Sequence, residues 1–437
     1  MPKAYMEDII TPDQPDYDKY RSIYMHEGNP AVIFRPRTPE DVATAIKYAR
    51  KHKSILSIRS GGHSGPGFGT NTDGMVIDLT KMKHIEVIDE AKHIVRIGAG
   101  ANWGEIATEL QKHKLGISSG DTRSVGVGGL TTGGGIGWMV RKYGLALDQL
   151  VGAEVVTADG EILQVSETEN KDLFWAIRGG GGNFGVVTYF EFAAHPLGQV
   201  YWSNIVYPAE MLETVLTGWR DYMRTAPLDI TSTMLVTPPS PQGPASIVLM
   251  NFLATDDKKT AEDLIAPMRA WGKPMSDTLE LKDYYDVLGD AHPPEGVKII
   301  VRNALTPDLS DEFLNLMIDA YGKEGSPMLM LRSMKGVLND IKPTATAFSF
   351  RDSEALVLSV AFAPPAMAAE IEKKALDLWA SMQKYLSGPY INFIGDVADA
   401  EITTAYDVAN FKKLSKLKKQ YDPENIFNQN YNIKPAA

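Results

Sequence analysis

The stretch that decides the fold is Ser54-Ile55-Leu56-Ser57-Ile58-Arg59, followed by Ser60-Gly61-Gly62-His63-Ser64-Gly65. The composition of residues 54–59 predicts a β-strand. Residues 60–65 are small and rich in glycine, so successive backbone N–H groups can turn inward around a phosphate. Such a loop at the end of a strand is suited to hold a pyrophosphate. Taken alone, however, a glycine loop after a strand is more often a plain turn, and a lone loop histidine is usually a surface residue.

Strand and helix signals alternate on both sides of this loop. Short apolar runs at 31–34, 75–79 and 93–97 predict strands, and Thr38 caps a helix that we expect to reach Arg50. This alternation predicts an α/β arrangement. From Gly116 to Gly137 we expect ordered loops and neither helix nor strand, because each glycine costs about 1 kcal/mol in a helix relative to alanine.

A formal dinucleotide fingerprint occurs at 180–185, Gly-Gly-Gly-Asn-Phe-Gly. In a Rossmann site this motif opens a helix whose N-terminus faces the phosphates. Here Val186 to Phe192 is rich in β-branched and aromatic residues and predicts a strand. A nicotinamide cofactor is therefore disfavoured.

The predicted order of strands and helices changes after residue 198. Strands are predicted at 246–252 and 354–362 and helices at 260–271 and 367–386, which indicates an α+β substrate domain. An amphipathic helix at 408–421 ends before Asp422-Pro423. A length of 437 residues exceeds what one hydrophobic core usually supports, so we expect two domains.

Composition excludes several classes of protein. The net charge is −11 without a long basic block, so we expect no nucleic-acid or anionic-membrane partner, and no apolar run reaches the roughly 20 residues of a membrane helix. The N-terminus lacks a signal-peptide pattern, and we expect a cytoplasmic protein. Cysteine is absent, which excludes disulfides, thiolate nucleophiles and cysteinyl cofactor attachment. The histidine spacing offers no metal site.

Many ordered motifs together make the chain closely resemble the berberine bridge enzyme-like family of the vanillyl-alcohol oxidase superfamily. The resemblance spans nearly the whole chain. Its motifs are residues 59–65, Asp78-Leu79, Ser124-Val125-Gly126-Val127-Gly128-Gly129, Gly133-Gly134-Gly135, 141–145, 172–179, 183–187 and Tyr421-Asp422-Pro423-Glu424-Asn425.

The resemblance implies an α+β fold with a PCMH-type FAD-binding domain and a substrate domain whose antiparallel sheet is covered by helices. It places the FAD-binding domain at 1–199, the substrate domain at 200–408, and a C-terminal segment that returns to the FAD domain at 409–437.

The resemblance also implies that His63 is bonded to the 8α-methyl of FAD, a linkage that raises the flavin potential and prevents loss of the cofactor. Where many members attach the flavin a second time through cysteine, this chain has Thr122, so attachment is single. The other positions implied to bind the cofactor are Arg59, Ser60, Gly61, Gly62, Ser64, Gly65, Val125, Gly126, Gly128, Gly129, Leu130, Gly135, Gly137, Val187, Asn430 and Asn432.

The positions around the reacting ring depart from the family pattern. Val125 matches a position associated with oxygen access, and simple loop packing is the equal alternative. Two catalytic tyrosines of many members correspond to Ile136 and Phe393, neither of which can take a proton. We expect an unusually apolar pocket. The groups that can still act as acid or base are Tyr390, Asp396, Arg351, and Tyr431 in place of the usual glutamine.

These departures favour an FAD-dependent oxidase that takes hydride from a CH–NH or CH–OH donor and gives hydrogen peroxide from O2. Amines fit best, because a neutral amine needs no separate base. The alternatives are an alcohol or sugar oxidase or dehydrogenase, a catalytically silent flavin-binding protein, and a flavin-dependent cyclase or isomerase. We expect a small-molecule substrate and a monomer or homodimer.

Overall fold

The predicted strand at 54–59 is the edge of a small sheet in the computed structural model, which describes residues 9–241, 243–290, 296–395 and 399–437. Four strands lie in the order Ile9–Ile10, Val32–Phe34, Met75–Asp78 and Leu56–Arg59. The last three are parallel. Helix Pro39–His52 starts with a capping box between Thr38 and Asp41, so the predicted cap is confirmed.

A second sheet extends the same half of the molecule. Its antiparallel strands follow the order Ile162–Ser166, Leu150–Val156, Val186–Ala193, Ile94–Gly98 and Ile85–Asp89. The strand at Val186–Ala193 confirms that no helix follows the glycines at 180–185. Besides Pro39–His52, the α-helices described in this half and its margins are Tyr17–Arg21, Trp103–Gln111, Val127–Gly133, Val140–Tyr143, Lys171–Ile177, Tyr284–Val287 and Val337–Asp340.

The expectation of loops alone between Gly116 and Gly137 is wrong. Residues Val127–Gly133 form a helix, and Leu115–Gly116 is a short strand paired with His195–Pro196. Tertiary packing overrides the propensity of the glycines. A Cβ at Gly133 would lie 2.1 Å from Asn392 Oδ1, and a Cβ at Gly128 would lie 3.0 Å from Ser60 Cβ. Close approach therefore requires glycine at these helical positions.

The second half is built on an antiparallel sheet of seven described strands. Their order is Ser276–Lys282, Val200–Pro208, Ser246–Leu253, Ile230–Thr237, Met328–Ser333, Ala355–Ala363 and Lys298–Thr306. One face packs on helices Leu212–Thr225, Lys258–Arg269, Asp311–Ala320 and Ala368–Met382 around a separate apolar core. The opposite face, with Trp202, Phe252 and Leu358, joins the core of the first half.

The C-terminal segment crosses back to the first half. Helix Val408–Tyr421 has the predicted bounds, after a short helix at Asp399–Thr404. The fully buried Lys418 ammonium donates to Asp422 Oδ2 at 2.7 Å and to the carbonyl oxygens of Asn183 and Phe427 at 2.9 and 2.8 Å. This cluster ties the tail to the loop at 181–183. Within the described ranges, no helix has the length and apolar composition needed to cross a membrane.

Candidate active site

A cavity of about 520 Å³ lies where the glycine loops, the seven-stranded sheet and the C-terminal tail meet. Most of the residues predicted to bind the cofactor line it. They are Arg59, Ser60, Gly61, Gly62, His63, Ser64, Gly65, Thr122, Val125, Gly126, Gly128, Gly129, Leu130, Val187 and Asn430. Gly135, Gly137 and Asn432 are not part of the lining.

The loop at 60–65 is held against the start of helix Val127–Gly133. Ser60 Oγ donates to the carbonyl oxygen of Ala99 at 2.6 Å and accepts from the Gly128 N–H at 3.2 Å. A Cβ at Gly61 would lie 2.2 Å from the Gly126 nitrogen, so the two backbones cross where a side chain has no room. A Cβ at Gly129 would meet no atom within 4 Å. This backbone cradle open to the cavity fits a pyrophosphate-bearing cofactor such as FAD.

His63 extends from this loop into the cavity lining. Its ring stacks on Tyr24 with a centroid distance of 4.5 Å and an interplanar angle of 20°. Burial lowers the pKa of the His63 imidazole, because a buried cation loses hydration. The imidazole is therefore neutral at neutral pH, with one ring nitrogen lone pair available.

Tyr390 also lines the cavity, next to Ile136 and Phe393. Its hydroxyl oxygen accepts from the Gly135 N–H at 2.8 Å and from Asn392 Nδ2 at 2.7 Å. Burial raises the pKa of the Tyr390 phenol to about 12. The phenol therefore keeps its proton at neutral pH and is a poor general base.

The hydroxyl of the second candidate tyrosine, Tyr431, is also hydrogen-bonded within the protein. Tyr431 lines the cavity, and its hydroxyl donates to the carbonyl oxygen of Ile394 at 2.6 Å. Burial raises the pKa of Tyr431 as well. The neighbouring Asn430 donates to the carbonyl oxygens of Gly182 and Phe427, both at 3.0 Å. These bonds hold the tail at the cavity.

Arg351 is not part of the cavity lining. Its guanidinium forms a bidentate pair with Asp148, with both N–O distances 2.7 Å, and donates to Thr346 Oγ1. The two ion-paired side chains are only 1% and 5% exposed. We assign Arg351 to the packing of the protein and leave it out of the catalytic set. Asp396 falls outside the described residues.

Sequence reasoning missed an acidic residue of the lining. Asp121 is the one carboxylate of the described cavity wall. Its Oδ2 accepts from Arg332 Nη2 at 2.6 Å, and Arg332 is a buried residue of the seven-stranded sheet. The charge of Asp121 contributes to the raised pKa of Tyr390, so the two side chains interact electrostatically. No local motif marks Asp121, since its importance comes from a partner 211 positions away.

The sheet supplies the remaining wall of the cavity. Val301, Leu358 and Val360 line it, together with Ile136 and Phe393. The expected apolar surroundings are therefore present among the described residues. An apolar wall strengthens electrostatic interactions inside the cavity, because it excludes water.

Fold and site define the class of the protein. Residues 30–166 match the family described as "FAD binding domain", and residues 389–434 match "Berberine and berberine like". The chain belongs to the berberine bridge enzyme-like family and is an FAD-linked oxidoreductase.

Individual relatives act on different molecules. The chain is 30% identical to (R)-6-hydroxynicotine oxidase of Paenarthrobacter nicotinovorans, over 100% of this chain and 98% of the relative. It is 29% identical to a chitooligosaccharide oxidase of Gibberella zeae, over 93% and 88%. The crystal structure of 6-hydroxy-D-nicotine oxidase from Arthrobacter nicotinovorans superimposes with a TM-score of 0.86 at 28% identity, covering 98% of both chains.

Proposed function

We propose that this protein is an oxidase of small apolar amines that carries FAD on His63. Residues 1–199 and 409–437 bind the cofactor, and residues 200–408 close the substrate side. When bound, FAD would supply the hydride acceptor, with O2 as the final electron acceptor and hydrogen peroxide as product. The residues at 60–65 and 126–129 would hold the pyrophosphate.

One observation carries this proposal. At the described cavity positions that match the family's catalytic residues, no side chain offers a base that is not already hydrogen-bonded within the protein. Ile136 and Phe393 have no proton-accepting atom. The Tyr390 oxygen already accepts two hydrogen bonds, and the Tyr431 hydroxyl donates a hydrogen bond to the carbonyl oxygen of Ile394. An alcohol must lose its hydroxyl proton as hydride leaves, whereas a neutral amine stabilises the developing cation with its nitrogen lone pair.

Charge in the cavity supports the same substrate class. The Asp121 carboxylate is ion-paired with Arg332 but stays 31% exposed, so it would still stabilise positive charge that forms on the amine during hydride transfer. Val301, Leu358 and Val360 offer aliphatic contacts and no hydrogen bond from their side chains. A sugar bound against this wall would leave hydroxyl groups unpaired, which costs free energy.

Alcohol oxidation is the second candidate, and Asp121 is the observation in its favour. A carboxylate in the cavity wall can accept a hydroxyl proton. The similarity to a chitooligosaccharide oxidase is compatible with this candidate. The two candidates differ in which substrates reduce the flavin.

The deciding experiment is an oxygen-electrode screen of the purified yellow protein with amines, alcohols and sugars. We expect turnover with a hydrophobic amine and peroxide as product. In Asp121→Asn we expect flavin reduction by that amine to slow about tenfold or more. Asp286→Asn, which changes an exposed acid, is the matched control and should match the wild type. Turnover confined to alcohols or sugars would refute the amine proposal.

A complementary test addresses the cofactor linkage. Acid-precipitated wild-type protein should stay yellow and carry one flavin mass on the peptide that contains His63. His63→Ala should release all flavin on precipitation. Colourless wild-type precipitate, with the flavin in the supernatant, would refute covalent attachment.

A further inference from the structure

A short hairpin near the N-terminus lies against the loop that carries His63. Its strands are Ser22–Ile23 and His26–Glu27, with Tyr24 and Met25 at the turn. The Tyr24 N–H donates to the carbonyl oxygen of Gly62 at 3.1 Å. Gly62 has φ +68°, and a Cβ there would lie 3.2 Å from Ile23 Cγ2. The hairpin and the residue before His63 are therefore in close contact.

A second contact fixes the other side of the loop. The imidazole Nε2 of His26 is hydrogen-bonded to the carbonyl oxygen of Gly65, and the same ring lies beside Gly67, where a Cβ would be 3.0 Å from His26 Cγ. The hairpin thus contacts the loop both before and after His63. The backbone that carries the imidazole is held at two points.

Between these two points the Tyr24 ring covers one face of the His63 ring. The rings are nearly parallel at 4.5 Å, a geometry typical of offset aromatic stacking. A stacked ring loses rotational freedom, so its nitrogen lone pair has a restricted direction. Both residues line the cavity. The stack therefore restricts the orientation of the imidazole within the cavity lining.

We propose that Tyr24 is a positioning residue for covalent attachment of flavin at His63. This inference rests on the proposed histidyl linkage. His63 forms a C–N bond to the 8α carbon in place of one N–H and one C–H bond. The two electrons and two protons released reduce the ring system, and O2 then takes them to give hydrogen peroxide. Tyr24 contributes orientation, because a fixed nucleophile reaches its target with a smaller loss of entropy.

Protonation supports the geometric argument. Attachment requires neutral imidazole, and burial lowers the pKa of His63. Among the described contacts, Tyr24 stacks on the His63 ring, His26 is bonded to Gly65 on the far side of the loop, and Arg59 ends the strand four residues before His63. Loss of the Tyr24 ring would expose His63 and return its pKa toward the ordinary value of 6.5.

The experiment uses full-length apoprotein made in a riboflavin-limited host and mixed with FAD in aerated buffer. Covalent flavin is followed over time by in-gel fluorescence and by intact mass, and reversible FAD affinity is measured separately. Tyr24→Leu should slow attachment at least tenfold, with a larger loss at pH 6 than at pH 8. Tyr24→Phe keeps the stacked ring and should attach within twofold of wild type. Met25→Ala, in the same turn but 44% exposed, is the control.

The outcomes separate two claims, the covalent linkage at His63 and the positioning role of Tyr24. Wild-type protein that never attaches flavin refutes the histidyl linkage itself. Normal attachment in wild type and in Tyr24→Leu, with an unchanged pH profile, refutes the role of Tyr24. If Tyr24→Leu fails to fold or to hold FAD, Tyr24→Met keeps the bulk without the aromatic face and carries the same expectation.

Discussion

Replacing Arg351 by methionine tests whether this residue stabilises the fold or takes part in the chemistry. The guanidinium makes two bonds of 2.7 Å to the two oxygens of Asp148 and a third of 2.7 Å to Thr346 Oγ1. Methionine has a similar unbranched bulk and removes the charge. Asp148 would then keep only its 2.9 Å bond from the Leu145 N–H among the described contacts.

The magnitude follows from burial. Removing one partner of a buried ion pair costs about 3–5 kcal/mol, because the other charge stays buried and unpaired. The side chains are 1% and 5% exposed, so solvent offers little compensation. We expect Arg351→Met to lower the free energy of unfolding by about that amount. Adding Asp148→Asn removes the carboxylate charge that Arg351→Met leaves unpaired. The loss of unfolding free energy in the double variant should therefore be smaller than the sum of the two single losses by about 1 kcal/mol or more.

Urea unfolding of the flavin-loaded protein measures this loss, and stopped-flow absorbance measures flavin reduction by substrate. We expect the reduction rate constant of folded Arg351→Met to stay within about twofold of wild type, because Arg351 does not line the cavity. Unchanged stability together with a collapse of the reduction rate would refute this reasoning and restore Arg351 to the catalytic set.

Three further predictions concern oxygen, substrate ionisation and acid stability. Val125→Leu should slow reoxidation of reduced enzyme by air about tenfold or more and leave reduction by substrate unchanged; a wild type that already reoxidises as slowly would contradict the role of Val125. Flavin reduction by amines should rise with pH through each substrate's own pKa, and Phe393→Tyr should change it less than about tenfold, or roughly 1.4 kcal/mol; a profile identical for amines of different pKa would reveal an enzyme base. Burial lowers the pKa of His195, stacked on Tyr143, to about 4, so the unfolded chain binds a proton between pH 6.5 and 4 that the folded protein does not, and stability falls as pH drops through this window. His195→Phe should flatten that fall in thermal midpoints taken from pH 7 to 4.5.

Much of the fold was predictable because its signals are local. The capping box at Thr38, the strand at Val186–Ala193 and the helix at Val408–Tyr421 each depend on residues close together in the chain. The helix at Val127–Gly133 was not predictable in this way. Its glycines disfavour a helix, and its stability comes from packing against Ser60 and Asn392, which lie elsewhere in the sequence.

The candidate site also combines features that local sequence predicts with features that depend on distant contacts. The resemblance to the family predicted which loops would hold FAD, and a phosphate cradle can be read from sequence because it is made of consecutive backbone groups. The motifs gave no sign of Asp121 as a cavity carboxylate or of Tyr24 as the partner of His63. They also placed Arg351 among the acid-base candidates, although its guanidinium is ion-paired with the carboxylate of Asp148.

By itself, the sequence determined the family and the FAD cofactor, because these depend on residue identity, and it predicted that Ile136 and Phe393 replace the two catalytic tyrosines of many members. Only the tertiary structure decided which groups are free to act. The Tyr390 oxygen is occupied by the N–H of Gly135, 255 positions away, whereas the ion pair with Arg332, 211 positions away, holds the partly exposed Asp121 in the cavity wall. Hydrogen bonds and burial set the protonation and availability of a side chain, and both arise from contacts that form only when distant segments pack together.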